Sequence, residues 1–368
     1  MGLPEITVVF KKLAQTADRR SAKGFLCIIL RDTTSGVSWS VKEYKWLEEV
    51  NKDHFSAANY KILARAFIAN PTKVIVVRLG SSGSMADAKT LLRSVAFDWI
   101  TTPEADLQAD LVAYVKEINT PSRARKAMAM VYQQAADDIY IHSPWNPTVT
   151  IKGDASATPM LEYLPRLAGV AAACPMTQSI TNYALEELIA VEDYVVTTGE
   201  GSSAVTGPLD PGEGVNQGKL MLYLDDDTFR IARGVNTLQT ITGDLTEDMK
   251  KIAVVEAMNM IQQDIIRTFK TYYQSKVRNS ADNQALFVSD VLLYLKELET
   301  EGILEEGYST CTIDVDAMRR SWEADGHSMA DKEDAYVRSK TYKSYLFALA
   351  GMRIQDAMED LRMNIGLG

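Results

Sequence analysis

Three histidines, His54, His142 and His327, are the only imidazoles in 368 residues. Proton chemistry near neutral pH therefore has few places to sit. A serine hydrolase needs one of them held by an aspartate and set against a serine. No histidine is followed by Gly-Thr, and no Gly-Thr-Ser-Met-Ala stretch occurs; Gly201-Ser202-Ser203-Ala204 is a faint echo of one. Asp53 precedes His54 directly, but chain neighbours rarely face each other. Gly199-Glu200-Gly201-Ser202-Ser203-Ala204 fits the loose dinucleotide pattern after a strand over Tyr194 to Thr198. That pattern needs a helix directly after it, and Gly207-Pro208-Leu209-Asp210-Pro211-Gly212 stands there instead. Leu79-Gly80-Ser81-Ser82-Gly83-Ser84 lies between a strand and a helix, where an anion can be held. It lacks the Gly-Lys-Ser/Thr ending of a P-loop, and capping by Ser84 accounts for it. Asp225-Asp226-Asp227 lacks the spread of a Ca²⁺ loop and reads as a hairpin turn. Cys27, Cys174 and Cys311 stand far apart and read as small buried residues in a reducing compartment. The residues thus point to no catalytic group, no cofactor and no metal.

Composition narrows the class further. Apolar residues are 46% and charged residues 24%, which is the balance of a globular chain. The length suits two or three domains. The net charge is -10, and no basic stripe marks a nucleic-acid partner. No run of 18 apolar residues is present, so no membrane insertion is expected. No signal peptide is visible, so synthesis in a cytoplasm is expected.

The elements that must position these residues follow from hydrophobic period. Phe25 to Leu30 is a continuous apolar run that predicts a central strand, and Lys73 to Leu79, apolar from Val74 to Val77, predicts a strand buried on both faces. Ser56 to Asn70, Ala86 to Val95, Asp106 to Ile118 and Pro159 to Cys174 carry helical spacing. Phe97 to Ile100, Ala127 to Tyr132 and Ile139 to Ile141 are short strand candidates. Strands alternating with helices predict an α/β layer architecture with a largely parallel sheet. Thr197 to Gly218, rich in Gly, Ser and Pro, reads as the longest irregular segment.

The stretch from Gly218 to Gly302 organises the rest. Leu220, Leu222 and Leu224 share a strand face, and Phe229 and Ile231 alternate on a return strand. A helix is expected from Glu247 with Thr246 as its cap. Its stripe is Ile252, Val255, Met258, Ile261, Ile265, Phe269 and Tyr272. A second helix runs from Asn283 to Thr300 with Val288, Val291, Leu292, Leu295 and Leu298 inside, and Gly302 as a left-handed stop. Thr310 to Val315 and Tyr345 to Leu349 read as strands. Ile6, Val8 and Phe10 at one end, and Leu361, Met363, Ile365 and Leu367 at the other, are apolar at every second residue.

The run Ile231-Ala232-Arg233-Gly234-Val235-Asn236-Thr237-Leu238 resembles the tail sheath proteins of contractile phages and phage-tail-like particles. So do Val255-Glu256-Ala257-Met258-Asn259-Met260-Ile261, Asp264-Ile265-Ile266-Arg267-Thr268-Phe269 and the final Asp356-Ala357-Met358-Glu359-Asp360-Leu361. Gly2-Leu3-Pro4-Glu5-Ile6 and Phe10-Lys11 resemble the family's amino-terminal arm. The order of these pieces carries the resemblance, which is strongest toward the carboxyl end.

The resemblance implies a central subtilisin-like α/β sandwich over 21–240 and a carboxy-terminal α+β sheath domain over 241–355. It also implies β-strand arms over 1–20 and 356–368, in a compact version without the outer domains of longer relatives. It implies a structural subunit that polymerises helically around an inner tube and contracts to drive the tube through a target envelope. The partners implied are other copies, the tube protein, and baseplate and tail terminator proteins. The expected place is a virion tail or a released particle, assembled in the bacterial cytoplasm. Ile6, Val8, Phe10, Leu361, Met363 and Ile365 become candidate subunit-interface residues, and Arg319, Arg320 and Glu323 candidate tube-facing ones. The alternatives are a hydrolase on a subtilisin-like fold and another structural tail component.

Overall fold

The computed structural model describes residues 23–121, 123–199 and 204–365. The expectations for Ile6, Val8, Phe10 and Leu367 lie outside the described residues. Contacts divide the described chain into two compact units, one within Ala22–Asn259 and Ala357–Gly368, the other within Met260–Asp356.

In the larger unit, the elements Phe25–Arg31 (β1), Val41–Tyr44 (β2), Ala57–Phe67 (α1), Lys73–Leu79 (β3) and Met85–Leu92 (α2) come first. Trp99–Thr101 (β4), Gln108–Ile118 (α3), Met128–Met130 (β5) and Ile141–His142 (β6) follow. They build a six-stranded sheet in the order β2-β3-β1-β4-β5-β6. Only β2 runs antiparallel to its neighbour; the other pairings are parallel. The apolar runs are continuous because both sheet faces are covered. Leu26, Ile28, Leu30, Val74 and Val76 belong to one core, with Leu63, Ala66 and Phe67 of α1. Cys27, Ile29, Ile75 and Val77 belong to a second core, with Met85 and Ala88 of α2 and Leu111 and Val115 of α3. Successive residues of one strand thus feed opposite layers. Each such side chain contributes about 1.5–3 kcal/mol by leaving water.

Thr148–Ile151 (β7), Thr158–Pro159 (β8), Met160–Ala173 (α4) and Leu188–Val191 (β9) come next. Helix α4 supplies Tyr163, Leu164, Leu167 and Ala171 to the first core. Gly169 lets it lie close to α1: a Cβ there would stand 2.4 Å from the Ala66 carbonyl oxygen.

Where it is described, much of the stretch read as irregular is strand or helix. Val195–Thr198 (β10) and Val205–Pro208 (β11) pair antiparallel, Val195 opposite Pro208, and Pro211–Asn216 (α5) is a short helix capped by Asp210. Gly207 and Pro208 sit in β11 and Pro211, Gly212 and Gly214 in α5, so composition alone misled there. The next pair matches the sequence: Leu222–Asp225 (β12) and Thr228–Ile231 (β13) form the expected hairpin across the aspartates.

Helix Ile252–Thr268 (α6) begins later than Glu247. A 3₁₀ turn, Glu247–Lys250, precedes it, and the Thr246 side chain caps nothing. Ile252 and Val255 join the core of Leu220, Leu222 and Ile231. The stripe departs from expectation at its end. The last turn, Phe269–Tyr273, is a π-helix; its wider spacing places Tyr273 inside and leaves Tyr272 37% exposed.

The second unit continues with Ala281–Thr300 (α7), Thr310–Ile313 (β14), Val315–Ala324 (α8), Asp334–Arg338 (α9) and Ala348–Gly351 (β15). Ser280 caps α7 by accepting from the Asn283 amide, and Gly302 ends the turn region with φ +73°. The buried face of α7 is Gln284, Phe287, Val291, Leu295 and Leu298, with Val288 and Leu292 at its edge, half-buried. β14 and β15 pair antiparallel. The second strand sits later than Tyr345–Leu349, since Tyr342, Tyr345 and Phe347 instead form an aromatic cluster.

Candidate assembly surface

The carboxyl end of a parallel sheet is where α/β proteins usually place chemistry. Asp32 stands there, just after β1, and is almost fully buried. Its lone pairs are taken. The Ser56 amide donates to Oδ2 at 2.9 Å, Asn59 Nδ2 at 2.7 Å, and the Thr34 amide to Oδ1 at 2.9 Å. Arg78 Nη2 donates at 3.1 Å. Burial alone would raise the carboxyl, but the bonds from Asn59, Ser56 and Thr34 prevail and hold it at about 2. This carboxylate ties β1, β3 and the start of α1 together and has no free oxygen to offer a substrate.

The histidines stand apart. His54 packs on Trp39 at 6.5 Å between ring centroids, with its Nδ1 lacking a hydrogen-bond partner. His142 lies against Trp99 at 4.8 Å, with the Val235 backbone beside it. Burial pushes it down to about 3, so it is neutral at pH 7. His327 meets Trp322 edge-on at 5.3 Å. Among the described residues the fold assembles no Ser-His-Asp geometry around these rings. Burial also pushes up the Cys174 thiol, to about 12, and the Cys27 thiol further, which leaves both poor nucleophiles. No group of three metal-ligating side chains occurs among the described residues. No helix there is long and apolar enough to cross a membrane.

Glu256 is a further acid shielded from water. Trp99 Nε1 donates to Glu256 Oε1 at 2.9 Å. Burial pushes this carboxyl up to about 7, with the Lys23 charge and the Trp99 bond opposing. Its bond to Trp99 ties α6 to β4, and its charge adds to the burial that raises the Cys174 thiol.

The surface offers more than the interior. After β15 the described chain carries no further strand. Leu361, Met363 and Ile365 are 82%, 66% and 74% exposed. Four more apolar side chains, Ile189, Val195, Val205 and Leu224, are over half exposed on β9 and the two hairpins; sequence analysis did not single them out as surface groups. The tail is held at Glu359 and Asp360. Ser179 Oγ donates to Glu359 Oε1 at 2.8 Å, and Arg233 Nη2 to Asp360 Oδ1 at 2.7 Å.

In the second unit, the three residues chosen as tube-facing lie on α8 but differ in availability. Arg319 is committed inward: Nη1 donates to the Met329 carbonyl at 2.6 Å and Nη2 to Asp334 at 2.6 Å. Arg320 and Glu323 are exposed. Val315 and Met318 anchor the opposite face against Val337.

Comparison with known proteins places this geometry. Residues 244–367 match the phage tail sheath C-terminal domain. Over 377 aligned residues the chain is 28% identical to the tail sheath protein of Clostridium phage phiCD119, covering 99% of each. Solved structures share the fold at lower identity. A sheath tail protein from Desulfitobacterium hafniense matches with a TM-score of 0.67 at 14% identity, over 85% of this chain and 94% of that one. The anti-feeding prophage helical sheath in its contracted state matches with a TM-score of 0.66 at 13% identity, over 95% of this chain and 94% of that one.

Proposed function

From the premise that the chain belongs to the phage tail sheath family, as a structural subunit of a tail sheath, we propose how its copies join and move. Many copies stack helically around an inner tube by head-to-tail contacts that never close. The sheath assembles extended in a metastable state. A baseplate signal then lets subunits move as near-rigid bodies into a shorter, wider lattice, driving the tube through a target envelope. The work is stored in assembly, so the subunit needs no catalytic turnover, no nucleotide and no metal. The larger unit is a subtilisin-like scaffold without its chemistry, in line with Asp32 being spent on structure. The functional borders follow the sequence: an arm over 1–20, a scaffold over 21–240, a sheath domain over 241–355 and an arm over 356–368. Assembly takes place in the host cytoplasm before the sheath becomes part of a virion or released particle.

The observation that carries the linkage is the tail. Three apolar side chains, Leu361, Met363 and Ile365, stand mostly in water, and this segment has no strand partner among the described residues. An apolar segment of this kind is a liability unless another sheet edge takes it. Each arm adds a strand to a neighbour, with Ile6, Val8 and Phe10 as the counterpart at the other end. Arg320 and Glu323 face the tube. Tail terminator proteins cap the finished polymer.

Removing Leu361 to Gly368 tests this. Circular dichroism should show an unchanged fold, because Leu361, Met363 and Ile365 stand mostly in water. Sedimentation and electron microscopy should show no sheaths. Long sheaths from the truncated chain would refute the linkage. So would a monomer that melts early, because the arm would then belong to its own subunit.

A further inference from the structure

The tail is not loose along its whole length, and the place where it is held is defined by charge. Glu359 has a side chain only 7% exposed, while that of Asp360 is 72% exposed. Met358 before them and Leu361 after them are 98% and 82% exposed. A single carboxylate is therefore sunk into the larger unit within a segment otherwise in water. A buried carboxylate needs partners. Ser179 Oγ supplies one at 2.8 Å, and Arg233 Nη1 lies 3.6 Å from the other oxygen. The second nitrogen of the same guanidinium holds Asp360 at 2.7 Å. The Arg233 hydrogen bond lowers the Asp360 carboxyl, and Lys251 adds to the positive field there.

The two sides of this contact are well chosen mechanically. Arg233 follows β13 by two residues, so its backbone is fixed by the hairpin and by the Ala232 amide bond to the Met221 carbonyl. Ser179 is braced through Thr181: the hydroxyls lie 3.0 Å apart, and Thr181 Oγ1 accepts from the Gly234 amide at 2.9 Å. Arg233 and Ser179 thus belong to one rigid corner.

We propose that Arg233 and Ser179 form a clamp that grips Glu359 and Asp360 and makes them the fixed root of the carboxy-terminal arm. Only the chain after Asp360 is then free to enter a second copy. The role of the arm rests on the assembly reading above; the clamp itself does not. A fixed root sets where the arm starts and in which direction it leaves. It also transmits any pull on the arm to β13 and the core beneath it.

The test uses the full-length soluble monomer, with Cys174→Ser to remove the half-buried thiol and a nitroxide label on Leu361→Cys. Arg233→Ala should shorten the rotational correlation time of the label several-fold. Asp360→Asn, which leaves the corner intact, should shift it in the same direction by less. High salt should loosen the unsubstituted clamp and leave the Arg233→Ala protein unchanged. A label equally mobile with and without Arg233, in protein of unchanged circular dichroism, overturns the clamp. Polymerisation of the unlabelled Arg233→Ala chain then tests its use. A several-fold higher protein concentration should be needed for sheaths. Assembly at the ordinary concentration, with the label mobile, overturns the role as a root. The label reports on single subunits, so a failed clamp is distinguishable from a failed assembly reading, which the truncation tests.

Discussion

Glu256→Gln isolates the cost of a buried acid. The Glu256 carboxyl accepts from the indole N–H of Trp99, and burial raises it to about 7 from an ordinary 4.5. A folded-state value above the unfolded one means that the folded protein binds the extra proton. The stability from holding that proton is full below about pH 4.5. It is lost as pH rises through about 7. The difference is on the order of 3 kcal/mol at pH 8, at about 1.4 kcal/mol per pKa unit. Glutamine keeps an oxygen for Trp99 Nε1 and never ionises. At pH 8 the variant should therefore be more stable than the parent by up to about 3 kcal/mol. At pH 5 the gap should shrink to below about 1 kcal/mol, since the parent is then already neutral when folded. Urea unfolding at the two pH values, followed by tryptophan fluorescence, measures both gaps. An equal gap at both values, or a variant less stable at pH 8, would refute the reasoning.

Other perturbations address separate parts of the chain. Asp32→Asn should flatten the acid limb of the stability profile: its depressed carboxyl supplies stability above about pH 4 that is lost as pH falls toward 2. Thermal unfolding of parent and variant between pH 2 and pH 5 checks it. Leu295→Ala removes a fully buried side chain from α7 and should cost about 2–5 kcal/mol, read by chemical denaturation. Met363→Asp should impair sheath formation as strongly as truncation, whereas Arg362→Ala should do much less, as pelleting would show.

Much of the fold was legible because burial writes itself into period. Phe25 to Leu30 and Val74 to Val77 are apolar at every position, and only a strand covered on both faces requires that. The β12–β13 hairpin was legible from alternation around Asp225 to Asp227. Where local composition and pairing conflict, composition fails. The Gly, Ser and Pro content around Val205 to Gly212 suggested a loop, yet main-chain pairing with Val195 to Thr198 makes it a hairpin. The end of α6 shows a finer limit. An ideal period puts Tyr272 inside, and a π turn at Phe269–Tyr273 puts Tyr273 there instead. Such a turn is selected by what the ring packs against, here Phe287 at 5.0 Å.

The candidate site divides the same way. Alternation in the tail singled out Leu361, Met363 and Ile365, and the fold leaves all three mostly exposed. The choice among Arg319, Arg320 and Glu323 needed the fold, which uses Arg319 to hold Asp334. The grip of Arg233 and Ser179 on Glu359 and Asp360 left no trace in the sequence at all. Its members are 127 and 180 residues apart, and no period or spacing relates them. A charge pair of that separation exists only once the chain has brought its end back to the corner beside β13.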